Sequence, residues 1–156
     1  MDRLAAAWNA IDSYEEGEFR ALIDALVVDE PPAVADFERA SAWDSTGHPD
    51  EAVSFYRSAL AAGLTGSRRR RATIQLASSL RNLGAAQEAV ALLSAELSAP
   101  VDGAAATLDD AVRAFLALAL VDVDRPREAA SLALETLAPH LPRYQRSLAA
   151  YARDLR

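Results

Sequence analysis

The sequence predicts an all-α fold: an α-solenoid of stacked helical hairpins closed by a capping helix. Three observations predict it. Alanines recur in pairs 12 residues apart, at Ala40 and Ala52, Ala77 and Ala89, and Ala117 and Ala129, and each second alanine follows a glutamate (Glu51, Glu88, Glu128). The shifts of 37 and then 40 residues that superimpose these pairs also carry Trp43 onto Leu80 and Leu120, Leu60 onto Leu97 and Leu137, and Gly47 onto Gly84 and Asp124. Alanine, leucine, arginine and glutamate dominate, while no β-branched run alternates for long. A repeat of this length, with a small residue on each of two helices and a turn between, is the pattern of stacked hairpins.

The elements follow in order. Helices are expected near residues 2–14, 18–28, 33–46, 49–62, 69–83, 86–98, 108–123, 126–138 and 142–155. The first two, with Leu4, Trp8 and Ile11 on one and Phe19, Ile23 and Leu26 on the other, form a degenerate hairpin over residues 1–30. Pro31-Pro32 cannot continue the second helix. Repeat one spans 33–66, with Gly47 ending its first helix and Pro49 opening its second. Gly63 and Gly66 are expected to end that helix. Repeat two spans 70–103, turns at Gly84 and breaks at Ala99-Pro100-Val101-Asp102-Gly103. Repeat three spans 108–139, with Asp124 in the glycine place and Pro126 opening its second helix. The last helix, 142–156, caps the array, with Leu148, Tyr151 and Leu155 inward and Arg143, Arg146, Arg153 and Arg156 outward. The paired alanines let antiparallel helices approach closely, and Phe55, Tyr56, Leu76, Leu93, Leu116 and Leu134 fill the layers behind them.

Composition narrows function by exclusion. The chain of 156 residues is about one domain and long enough to bury a continuous core. It has no cysteine, so a thiol nucleophile, a disulfide frame and a thiolate metal site are unavailable. Its 16 basic residues are all arginine, which removes lysine chemistry; alanine and arginine in excess point to a high-GC bacterial genome. A net charge of −7 is the wrong balance for nucleic acid. The run Arg68-Arg69-Arg70-Arg71 lacks the interleaved aromatics of a single-strand platform and is read as a solvated face. No stretch approaches the ~20 apolar residues that span a bilayer, and Met1-Asp2-Arg3-Leu4 does not open a signal peptide, so a soluble, cytoplasmic protein is expected. His48 and His140 have no ligand partner at helical spacing, Ser78-Ser79 has no base in register, and no glycine-rich phosphate loop occurs. No metal, no cofactor and no catalysis are therefore expected.

The middle repeat, Gln75-Leu76-Ala77-Ser78-Ser79-Leu80-Arg81-Asn82-Leu83-Gly84 followed by Glu88-Ala89-Val90, resembles the tetratricopeptide repeat family. Counted from Arg70, it has a small residue in the eighth place, a large one in the eleventh, glycine in the fifteenth and alanine in the twentieth. The stretch Phe37-Glu38-Arg39-Ala40-Ser41-Ala42-Trp43-Asp44-Ser45 is similar to a bacterial subgroup of that family. The fourth place, usually large, holds Asp36, Thr73 and Arg113. The resemblance implies that the solenoid is right-handed, with a concave groove lined by the first helix of each repeat, and a non-catalytic role in binding proteins. It places Phe37, Glu38, Ser41 and Asp44, then Arg71, Gln75, Ser78, Arg81 and Asn82, then Phe115, along that groove. Arg71, Gln75, Ser78 and Asn82 share one helical face with Arg81 beside it, and arginine forks suit carboxylates. On this reading a protein or peptide segment, acidic where it meets the arginines, binds between Phe37 and Phe115 as apolar anchors. The bland alternative is that Asp44 and Glu38 pair with Arg71 and Arg81 across the groove and merely stabilise the stack. Two further readings are a self-associating assembly protein that stacks cap to cap as a weak homo-oligomer, and a sensor of a small carboxylate ligand.

Overall fold

The computed structural model describes residues 3–101 and 103–156. Met1, Asp2 at the expected start of the first helix and Asp102 in the expected break lie outside the described residues. Among the described residues the chain is all helical, with no strand. The helices are α1 (Arg3–Asn9), α2 (Glu16–Leu26), α3 (Pro32–Ser45), α4 (Pro49–Ala61), α5 (Gly66–Asn82), α6 (Ala86–Ser98), α7 (Asp109–Asp122), α8 (Pro126–Leu137) and α9 (Gln145–Arg153). Short 3-10 turns at Ile11–Ser13, Gly103–Leu108 and Ala138–His140 precede α2, α7 and α9. Each helix packs on its neighbour in sequence, and α5 also touches α3 and α7, so the hairpins stack in one direction.

The sequence period is a backbone period. Residues 48, 85 and 125 donate their N–H to the carbonyls of 43, 80 and 120 at 3.0, 2.8 and 2.9 Å, which is the six-to-one bond of a Schellman turn, repeated under the same shifts of 37 and 40. That turn needs a left-handed residue just before the donor. Gly47 and Gly84 supply it at φ 80° and 84°, and Asp124 is forced to φ 61°, where a Cβ crowds the following carbonyl. Pro32, Pro49 and Pro126 all sit at the first turn of their helices, where a missing N–H costs nothing.

The six alanines of the repeat are buried: Ala40, Ala52 and Ala89 completely, Ala77, Ala129 and Ala117 nearly so. They belong to two clusters. One joins Phe37, Tyr56, Leu76 and Leu80 across α3, α4 and α5; the other joins Ile74, Leu93, Val112, Leu116 and Leu120 from α5 to α8. A third, smaller cluster of Ala7, Phe19, Ile23, Val27, Ala35 and Ala42 seats the N-terminal hairpin on α3. Ala89→Leu is expected to overpack its hairpin and lower stability by roughly 1–3 kcal/mol in urea unfolding, with the slope of the transition unchanged.

Several sequence expectations shift. Gly66 does not end the fourth helix; it opens α5 at φ 61°, three residues earlier than expected. Arg68 joins Arg69–Arg71 inside this helix, where successive side chains point about 100° apart and cannot share one solvated face. Arg70 is wholly buried, with Nη1 donating to Ala105 O at 2.9 Å, Nη2 2.6 Å from Asp109 Oδ1 and Nε 3.3 Å from Glu96 Oε1. Arg69 grips the same buried Glu96 through both terminal nitrogens at 2.9 and 2.6 Å. At the C-terminal end Tyr151 faces outward, 68 % exposed, because α9 turns the small Ala152 onto α8 instead; Leu148 and Leu155 are half-buried. Leu137, the repeat equivalent of Leu60 and Leu97, is half-exposed.

Candidate functional site

The first helices of successive hairpins, α1, α3 and α5, wall a cleft of about 460 Å³. Leu4, Ala5, Trp8 and Asn9 come from α1, Glu38, Ser41 and Ser45 from α3, and Arg68, Arg71 and Gln75 from α5. Residues three, four or seven apart on a helix share a face, which is why Glu38, Ser41 and Ser45, like Arg68, Arg71 and Gln75, reach the same opening.

Its side chains divide into those already engaged and those that are not. Glu38 is buried, accepts a 2.8 Å hydrogen bond from Trp8 Nε1 and lies 3.9 Å from Arg68 Nε. Ser41 donates to the carbonyl of Phe37 at 2.9 Å. Arg71 is different. Its guanidinium sits 5.3 Å over the ring of Phe37, exposed to solvent, and forms no ion pair among the described residues. The carboxamide oxygen of Gln75 lies nearby in the cleft wall, shielded from solvent and accepting no hydrogen bond.

Asp44 forms an ion pair with neither Arg71 nor Arg81. Its Oδ1 accepts from Ser79 Oγ at 3.0 Å and its Oδ2 has a long 3.4 Å contact from the Tyr56 hydroxyl. Burial pushes the Asp44 carboxyl above its ordinary 3.8, and the two hydroxyls only partly offset that. Burial also raises the Tyr56 hydroxyl, so it stays protonated and keeps donating. A carboxyl whose folded value lies above its unfolded value favours folding while protonated, and that contribution is lost as pH rises through the folded value. Asp44→Asn, which does not titrate, should therefore gain stability relative to wild type between about pH 3.5 and pH 7, as read from paired urea midpoints. A gap that narrows as pH rises contradicts the assignment.

The far half of the groove is closed by charge. Arg81 bonds Asp122 of α7 through Nε, so the expected cross-groove partners of Asp44 and Glu38 are replaced by other residues. Asn82 is exposed and Ser78 half-buried. Neither aromatic is a free anchor. Phe37 is 1 % exposed, its ring 6.4 Å from that of Tyr56, because α3 turns this position into the core between α4 and α5. Phe115 is half-buried against the α5–α8 cluster. The structure thus brings Glu38, Ser41, Arg71 and Gln75 to one cleft and leaves Asp44, Ser78, Arg81, Asn82, Phe37 and Phe115 outside it. Sequence reasoning missed Trp8 and Arg68, whose only signal was helical spacing toward α3.

Among the described residues no three histidine, aspartate or glutamate side chains gather to hold an ion. His48 packs edge-on against Trp43 at 5.4 Å, and His140 Nε2 lies 2.9 Å from Asp110.

A sequence profile described as Tetratrico peptide repeat matches residues 33–155. The chain belongs to the tetratricopeptide repeat family. No curated protein and no solved structure matches it. Tetratricopeptide repeats generally mediate contacts between proteins, and the match runs from α3 through α9. The N-terminal hairpin that supplies one wall of the cleft lies before the matched region. No helix among the described residues is long and apolar enough to cross a membrane.

Proposed function

We propose that this tetratricopeptide repeat protein is a non-catalytic scaffold that grips a protein segment bearing a carboxylate in the cleft between α1, α3 and α5. The observation that carries the reading is Arg71: an exposed guanidinium, steadied over an aromatic ring and uncommitted to any carboxylate of the described residues, beside an acceptor that lacks a donor. A peptide supplies both complements. Its side-chain or terminal carboxylate fits the Arg71 fork, and a backbone N–H meets Gln75 Oε1 once the carboxamide turns toward the cleft. Arg68 adds positive charge at the rim. Acid selectivity then rests on Arg71 and not on Arg81, which Asp122 already neutralises.

Selection from a random peptide display library tests this. Enriched peptides should carry Asp, Glu or an essential free C-terminus, and fluorescence anisotropy should show Arg71→Glu weakening them by about 10- to 100-fold, the worth of a charge-assisted contact. Arg81→Glu should leave their affinity within about threefold. Enrichment without acidic character, or affinity indifferent to Arg71→Glu, removes the reading.

A further inference from the structure

The two ends of the array carry opposite charge. Between residues 11 and 30 stand seven carboxylates against Arg20 alone, whereas residues 142–156 hold four arginines against Asp154. Few of these are neutralised within the chain. Asp12, Glu15, Glu18, Asp29 and Glu30 are exposed and form no ion pair among the described residues, while Glu16 and Asp24 reach Arg20 and Arg39. At the other end Arg156 is held by Glu135, but Arg143, Arg146 and Arg153 are exposed and form none.

Each end also has the shape and apolar surface of a contact. Along α9 an open cavity of about 880 Å³ is lined by Arg143, Tyr144, Arg146 and Arg153 among others, and Tyr144 is 75 % exposed. Tyr144 is held at φ 70°, a conformation that a bulky residue seldom adopts. Arginine and tyrosine are the side chains that most often carry binding energy at interfaces. At the N-terminal end a recess of about 330 Å³ opens between the Ile11–Ser13 turn, α2 and the end of α3, with Asp12, Tyr14 and Glu16 among its lining residues. Helices α1, α2 and α9 lie at opposite ends of the sequential stack, so one chain cannot satisfy its own poles.

We infer that the basic, tyrosine-bearing face of α9 docks on the acidic N-terminal hairpin of a second copy of this chain, giving head-to-tail association. The two surfaces differ, so the contact is heterologous and each docked copy presents a fresh pole to the next. An anionic lipid surface is a poorer occupant, because the apolar stripe of α9 is spent on α8: Ala152 is fully buried and Leu148 and Leu155 half-buried. The contact is electrostatic, so salt should weaken it.

Sedimentation velocity of the full chain from about 1 to 100 µM, at roughly 0.05 and 0.5 M salt, reads the association. Mass is expected to rise with concentration at low salt and to fall back at high salt. Reversing one pole (Arg143→Glu, Arg146→Glu, Arg153→Glu) or the other (Asp12→Arg, Glu15→Arg, Glu18→Arg) should raise the dissociation constant at least about tenfold, about 1.4 kcal/mol. Mixing the two reversed proteins should restore association at equal stoichiometry, the copies alternating, since one is then acidic and the other basic at both ends. A monomer at every concentration overturns the inference, as does association indifferent to either reversal or no pairing on mixing. A monomer whose α9 arginines bind phosphatidylserine vesicles also overturns it and assigns the face to lipid.

Discussion

Arg70→Ala should lower the folding stability of this protein by roughly 3–5 kcal/mol, whereas Arg68→Ala two residues earlier should cost no more than about 1 kcal/mol. The difference follows from surroundings, since the two side chains are chemically identical. Arg70 has no exposure and lies among Glu96 of α6, Ala105 of the 3-10 turn and Asp109 at the start of α7. Proximity of charge, more than aligned N–H bonds, links its Nε and Nη2 to the two carboxylates. Deleting it strips a counter-ion from a buried glutamate, unpairs a carbonyl and leaves a cavity where three elements meet. Arg68 is half-exposed, and its distance of 3.9 Å from Glu38 is the outer limit of an ion pair. Urea unfolding of both variants reads the contrast directly. Two equally small losses would mean that the run is a solvated face after all.

Phe37→Ala should cost roughly 3–5 kcal/mol of stability, the ordinary penalty for emptying a buried aromatic site. The ring touches both the Tyr56 layer beneath it and the Arg71 guanidinium above it. Its removal therefore unsettles the core first and the cleft second. Phe37→Leu, which keeps most of the volume, should recover much of the stability while still removing the aromatic seat of Arg71. If Phe37→Ala left unfolding unchanged and only weakened a bound peptide, the side chain would be a surface anchor, as its place in the repeat implies.

These two residues show where the sequence was legible and where it was not. The turns were legible because their demands are local: a Schellman turn needs a left-handed residue, and Gly47, Gly84 and Asp124 each precede the donor of the six-to-one bond. The alanine pairs were legible because close helix approach tolerates only small side chains. The facing of individual positions was less so. A small rotation of α3 decides whether Phe37 meets the groove or Tyr56, and the helical period alone does not resolve it. The arginine run was misread because its partners come from α6, the Gly103–Leu108 turn and α7, far along the chain: Glu96, Ala105 and Asp109 surround Arg69 and Arg70. The cleft itself depended on pairing at a distance. Trp8 finds Glu38 thirty residues on, and Arg70 finds Ala105 thirty-five residues on, in neither case through a spacing that a repeat pattern records.

The central claim is that recognition takes place in the cleft that α1, α3 and α5 enclose, with Arg71 as its charged contact. Hydrogen exchange of the full chain, with and without a peptide chosen by display selection, tests it most directly. Binding in the cleft predicts slowed exchange in Arg3–Asn9, in the C-terminal half of Pro32–Ser45 and in the N-terminal half of Gly66–Asn82, and loss of that protection in Arg71→Glu. Protection confined to α7, α8 and α9, or unchanged by Arg71→Glu, would contradict it and move recognition to the other end of the array.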